Sequence, residues 1–63
     1  MIDWLEIRNS LHLMNAEGTA NDKPCIAEVE KAIKERGYKA ENINISHDEL
    51  QQTWRFTARI KEL

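Results

Sequence analysis

The clearest alternation of apolar and polar positions lies between Lys23 and Arg36. Ile26, Val29 and Ile33 recur at three- and four-residue spacing, with Ala32 and Cys25 at the margins of the stripe, which predicts a helix with one buried side. Asn21 and Asp22 offer N-cap oxygens, and Pro24 falls in the first turn, where its missing N–H costs nothing. The opposite side carries Glu28, Lys31, Lys34 and Glu35. Glu30–Lys34 and Lys31–Glu35 are i,i+4 pairs, each stabilising by about 0.2–0.5 kcal/mol. Gly37 supplies the left-handed residue that ends the helix, and Tyr38 folds back on its last turn.

Beyond Gly37 the period falls to two. Ile43 and Ile45 alternate with Asn42, Asn44 and Ser46; Trp54, Phe56, Ala58 and Ile60 alternate with Thr53, Arg55, Thr57, Arg59 and Lys61. Half-buried strands are expected over Ala40–Ser46 and Gln52–Ile60, close enough in sequence to pair as a hairpin. Between them Ser46-His47-Asp48-Glu49 has capping-box form and predicts one helical turn with Leu50 beneath it.

The N-terminal segment admits two readings. As a helix, Asp3-x-x-Glu6 caps a stripe of Trp4, Ile7, Leu11 and Met14, but Ile2, Leu5 and Leu13 land on the far side. As a strand over Leu5–Met14, Leu5, Ile7, Leu11 and Leu13 share one face, and Glu6, Arg8, Ser10 and His12 make the other polar. The strand accounts for more positions. Asn15–Asn21, containing Gly18, reads as a polar loop. The expected fold is α+β in the order β-α-β-β: a three-stranded antiparallel sheet with one amphipathic helix on one face, the hairpin's last strand lying between the other two. The alternative is α-α-β-β, two helices on a hairpin. The expected core is Leu5, Ile7, Leu11, Leu13, Ile26, Val29, Ile33, Ile43, Ile45, Trp54, Phe56 and Ile60.

Length and composition narrow the function. Sixty-three residues make a single domain, 1–63, that buries only about 60% of its unfolded surface. With 41% hydrophobic and 32% charged residues the chain is globular rather than disordered or collagen-like. One cysteine excludes an internal disulfide and a Cys-rich zinc site. No basic stretch followed by an apolar one marks a signal peptide, and no apolar run approaches the roughly 18 residues of a membrane span, so a cytoplasmic protein without membrane contact is expected. A net charge of −2 and a pI near 5.6 weigh against whole-molecule attraction to nucleic acid.

Few residues suggest chemistry. Cys25 at the helix start reads as a small apolar residue at the helix–sheet contact, with a dipole-activated thiolate as the alternative. The run Cys25-Ile26-Ala27-Glu28-Val29-Glu30-Lys31-Ala32-Ile33, with Gly37-Tyr38 and Asn42-Ile43-Asn44-Ile45, resembles the first half of a heavy-metal-associated domain. That resemblance implies a β-α-β-β start and a soft-metal site of C-x-x-C form. Here Asp22 stands three before Cys25, so the metal pair is missing and the function is not carried over. His12 and His47 occupy a polar sheet face and a turn, and no phosphate loop, G-x-S-x-G or H-E-x-x-H occurs. No catalytic group, metal or cofactor is assigned.

The polar sheet face is the best candidate surface. It collects Arg8, Arg55, Arg59 and Lys61 against Glu6, so an acidic protein is expected to be electrically two-sided. Trp4, Ile2 and Met14 share its parity, and an aromatic among arginines is what interfaces prefer, unless Trp4 wraps round the sheet edge into the core. Trp4, Arg8, His12, Met14, Arg55, Arg59 and Lys61 are therefore the candidate partner-binding residues. The expected function is a non-enzymatic interaction module, a homodimer or a modulator of a larger partner, acting through this face or a strand edge. The alternative is nucleic-acid binding through the basic residues, weakened because Trp54 and Phe56 have core parity.

Overall fold

A computed structural model describes residues 2–9 and 13–63. It contains β1 (Ile2–Asn9), β2 (Met14–Ala20), α1 (Ile26–Glu35), β3 (Tyr38–Asp48) and β4 (Thr53–Glu62). The four strands form one sheet in the order β1-β2-β4-β3, each neighbouring pair antiparallel. No helix is long and apolar enough to cross a membrane among the described residues.

The fold therefore has four strands, not three, and the two-helix alternative fails as well. The segment expected to be a polar loop is β2, which inserts between β1 and β4. Its inward positions are Ala16, Gly18 and Ala20, all buried, and its other side is Asn15, Glu17 and Thr19. Small-in, polar-out alternation has no apolar signature, and alanine and glycine are poor strand formers, so the pattern mimics a loop. The first strand ends at Asn9 rather than Met14. Leu11 and His12, which carried the longer strand, lie outside the described residues, and Leu13 is exposed rather than core.

Cross-strand register explains the core. One inward row runs Leu5–Gly18–Phe56–Ile45, and the next runs Ile7–Ala16–Ala58–Ile43. Val29 and Ile33 from α1 close over them and are fully buried with Ala16, Phe56, Ala58 and Ile60. Gly18 is required here by space: a Cβ would collide with the Trp4 carbonyl oxygen and the Phe56 ring, whose Cε2 would lie at 2.9 Å. The large ring of Phe56 thus occupies the volume that the small residues of β2 leave free. Trp54, expected in the core, is only half-buried.

Both edge strands carry a bulge. The β1–β2 register slips between Ile2 and Trp4, and the β3–β4 register between Ala40 and Asn42. One extra residue reverses the parity beyond it. Ile2 thereby joins Leu5 on the core side, and Tyr38 and Ala40 join Ile43, which strict alternation does not anticipate.

The helix is shorter at its start than expected. Cys25, not Asn21 or Asp22, is the N-cap; it is exposed and its side chain caps nothing, while Pro24 is buried one residue earlier. Ile26 is 55% exposed and so lies outside the core. At the C-terminus Arg36 N–H donates to the Ile33 carbonyl and Gly37 N–H to the Lys34 carbonyl, with Gly37 at φ +92°. The expected helical turn after Ser46 is instead the β3–β4 hairpin turn. Asp48 Oδ1 accepts from the N–H groups of Leu50 (3.1 Å) and Gln51 (3.3 Å), Gln52 adopts φ +56°, and Leu50 is fully solvated.

Candidate functional site

The helix covers one side of the sheet and leaves the other bare, so the antiparallel register alone places the candidate residues. Three outward rows cross all four strands: Arg8–Asn15–Arg59–Asn42, then Glu6–Glu17–Thr57–Asn44, then Trp4–Thr19–Arg55–Ser46. Thr53 opposite Asp48 and Lys61 opposite Lys39 extend the face at either end. Arg8, Arg55, Arg59, Lys61 and Trp4 are thus brought onto one surface. Trp4 is 46% exposed and does not wrap into the core. Met14 belongs to the opposite side, packed against the core cluster, because β2 starts a new register there. His12 lies outside the described residues.

The charge balance of this face differs from the sequence expectation. Register adds Glu17, Asp48 and the bulge residue Glu41 to Glu6, and Lys39 to the cations, so five cations meet four anions. Arg8 sits 2.8 Å from Glu17 and 3.6 Å from Glu6. Those two carboxylates face each other directly across β1 and β2, an arrangement that repels unless a cation lies between them. Arg55 approaches Asp48 at 3.9 Å and Lys61 approaches Glu41 at 3.5 Å. Each pair has an exposed cation and is worth about 1 kcal/mol or less, although Glu17 and Asp48 are themselves half-buried. Arg59, in the central strand, makes no ion pair among the described residues. The strongly basic face becomes a near-neutral one for two reasons: Glu17 is invisible while β2 is taken for a loop, and the bulge and full length of β3 bring Glu41 and Asp48 to the same side.

An open depression of about 450 Å³ is bounded by Arg8, Asn15, Glu17, Asn42, Asn44 and Arg59. A second, smaller one of about 340 Å³ lies along Trp4, Glu17, Ser46, Arg55 and Thr57. The first is lined mainly by hydrogen-bonding side chains and guanidinium groups, whereas the second mixes these with Trp4 and Phe56. Sequence reasoning missed Asn15, Glu17 and Thr19, whose only signal was the alternation of polar residues with Ala16, Gly18 and Ala20.

His47 and Cys25 are set by local structure. His47 stacks at 4.8 Å, tilted, on Trp54 across the hairpin, and Lys23 Nζ lies 5.7 Å from the Trp54 ring centre. His47 is therefore a strand residue, not part of an exposed turn. Among the described residues no three His, Cys, Asp or Glu side chains gather as a metal site. Comparison of the chain with protein-family models gives no match, and comparison with curated proteins and solved structures gives none either.

Proposed function

We propose that the protein is a non-enzymatic interaction module that engages a protein partner through the bare face of its sheet. The observation that carries this reading is the row Trp4–Thr19–Arg55–Ser46, which holds a half-exposed tryptophan level with an arginine on a rigid, uncovered surface. Aromatic and arginine anchors surrounded by small polar side chains are the usual composition of interface centres. The near balance of cations and anions favours a protein surface of mixed charge over a phosphate backbone, which selects for uncompensated lysine and arginine. Strand placement fixes these side chains in advance, so little ordering entropy opposes docking.

The test compares proteins captured from the native host by the wild-type chain, Trp4→Ala and Arg55→Glu. Both variants should keep the wild-type circular dichroism, because neither side chain enters the core. The expected result is a specific captured protein lost in both variants, each costing about 2 kcal/mol or more in affinity once the partner is isolated. An identical capture profile for all three chains would refute the reading. So would tight, strongly salt-dependent binding of labelled single- or double-stranded probes that Arg55→Glu abolishes, which would move the face to nucleic-acid recognition.

A further inference from the structure

We propose that the free edge of β3 pairs with the same edge of a second copy, antiparallel about a two-fold axis at Asn44, joining two four-stranded sheets into one. Such pairing lies in the plane of the sheet and leaves the bare face open. It therefore stands apart from the proposed use of that face.

Three observations carry it. First, the two edges of the sheet are unequal. Outer strands normally guard their unpaired N–H and C=O groups with charge. β1 does so, with Asp3 at its bulge followed by Glu6 and Arg8. β3 runs from Asn42 to His47 without one Asp, Glu, Lys or Arg, bracketed by the Glu41 bulge and Asp48.

Second, that run is complementary to itself. Antiparallel pairing centred on Asn44 sets Ile43 opposite Ile45 of the other copy, on the side of the half-buried isoleucines. It sets Asn42 opposite Ser46 and Asn44 opposite Asn44 on the polar side. Sliding by two residues one way sets the Glu41 bulge opposite Ile45, and sliding the other way sets His47 opposite Ile43. Only the register on Asn44 gives both inward isoleucines an isoleucine partner.

Third, the exposed apolar residues on the helix side complement each other under the same axis. Ile26 is 55% and Leu63 72% exposed. Helix geometry puts Ile26 on the flank of α1 that turns toward β3, beside Glu30 and Lys34, which border a groove with Tyr38, Ala40 and Leu63. The helix starts near the His47 end of β3, since Lys23 lies over Trp54, the partner of His47. Leu63 marks the opposite end, where its N–H donates to the Gly37 carbonyl. A two-fold axis at Asn44 brings the Ile26 end of each copy to the Leu63 end of the other. Because the contact is isologous, it forms twice.

Asn44 is the diagnostic position, because a residue on the axis meets itself. Light scattering and sedimentation at low salt should give twice the monomer mass of 7.4 kDa for the wild type. Asn44→Lys and Asn44→Asp should each raise the dimer dissociation constant about fivefold or more, since like charges then oppose directly. An equimolar mixture of the two variants should restore association. Ile26→Lys, at a site outside the core, should weaken the dimer about tenfold by removing apolar burial, and serves if either Asn44 variant misfolds. A wild type that stays monomeric up to millimolar concentration overturns the proposal. So does undiminished association of folded Asn44→Lys and Asn44→Asp, or of Ile26→Lys, and so does a folded mixture that fails to recover. Loss of association in Trp4→Ala alone would assign the contact to the bare face instead.

Discussion

Gly18 and Gly37 answer to different constraints, and substitution separates them. At Gly18 the limit is space: the Trp4 carbonyl oxygen is backbone and cannot step aside, and the Phe56 ring is wedged in the core. Gly18→Ala should destabilise by about 1–3 kcal/mol, the range for overpacking. At Gly37 a Cβ meets nothing within 4 Å, but φ is +92°. Gly37→Ala should cost about 1–2 kcal/mol through backbone strain alone. Urea titration distinguishes them further in combination: Phe56→Leu should recover part of the Gly18→Ala loss and none of the Gly37→Ala loss. Equal response of both glycine variants would refute the packing account. Phe56→Ala by itself should remove about 3–5 kcal/mol, which for so small a core approaches total stability. A nearly unchanged melting curve would show that the ring is not the keystone between β2 and α1.

Elements differ in how plainly the residues announce them. Helix α1 and the β3–β4 hairpin were legible because Val29, Ile33, Ile45, Phe56 and Ile60 are large, apolar and correctly spaced. β2 was not, because its inward residues contribute shape rather than hydrophobicity; the ring that fills the space above Gly18 comes from Phe56, thirty-eight positions further along. The bulges were hidden for a related reason. An extra residue at Asp3 or Glu41 changes parity without changing composition, so Ile2, Tyr38 and Ala40 looked misplaced. The candidate face suffered in proportion: Arg8, Arg55, Arg59 and Lys61 share one surface as their alternation implies, Trp4 joins them where the sequence left it open, and of the acidic residues Glu17 came with the missing strand and Glu41 with a bulge. The hairpin turn offers a test at this scale. The half-buried Asp48 receives two backbone N–H groups and approaches the exposed Arg55. Asp48→Ala should lower stability by about 0.5–1.5 kcal/mol, measured by thermal or urea unfolding, and Asp48→Asn should keep most of it because the amide oxygen still accepts. Equal losses would mean that the charge, not the turn geometry, matters.

Across the whole molecule, protection should follow position in the sheet rather than order in the chain. β4 is flanked by β2 and β3, and β2 by β1 and β4, whereas β1 and β3 each have one neighbour. Amide exchange should therefore be slowest in β2 and β4 and faster in β1. Uniform protection across β1 and β4 would contradict this ranking. Protection within Asn42–Ser46 that grows with protein concentration would report edge pairing directly.

The direction of the strands has a mechanical consequence. β1 starts at the Trp54 end of the sheet, and β4, running the same way one strand over, finishes at the opposite end. Tension applied between Ile2 and Glu62 therefore acts along the strands. It loads the β1–β2 and β2–β4 hydrogen bonds in shear, many at once, instead of peeling them singly as it would if both ends emerged together. A domain with so small a core can in this way resist a pull along its strands better than that core alone would suggest.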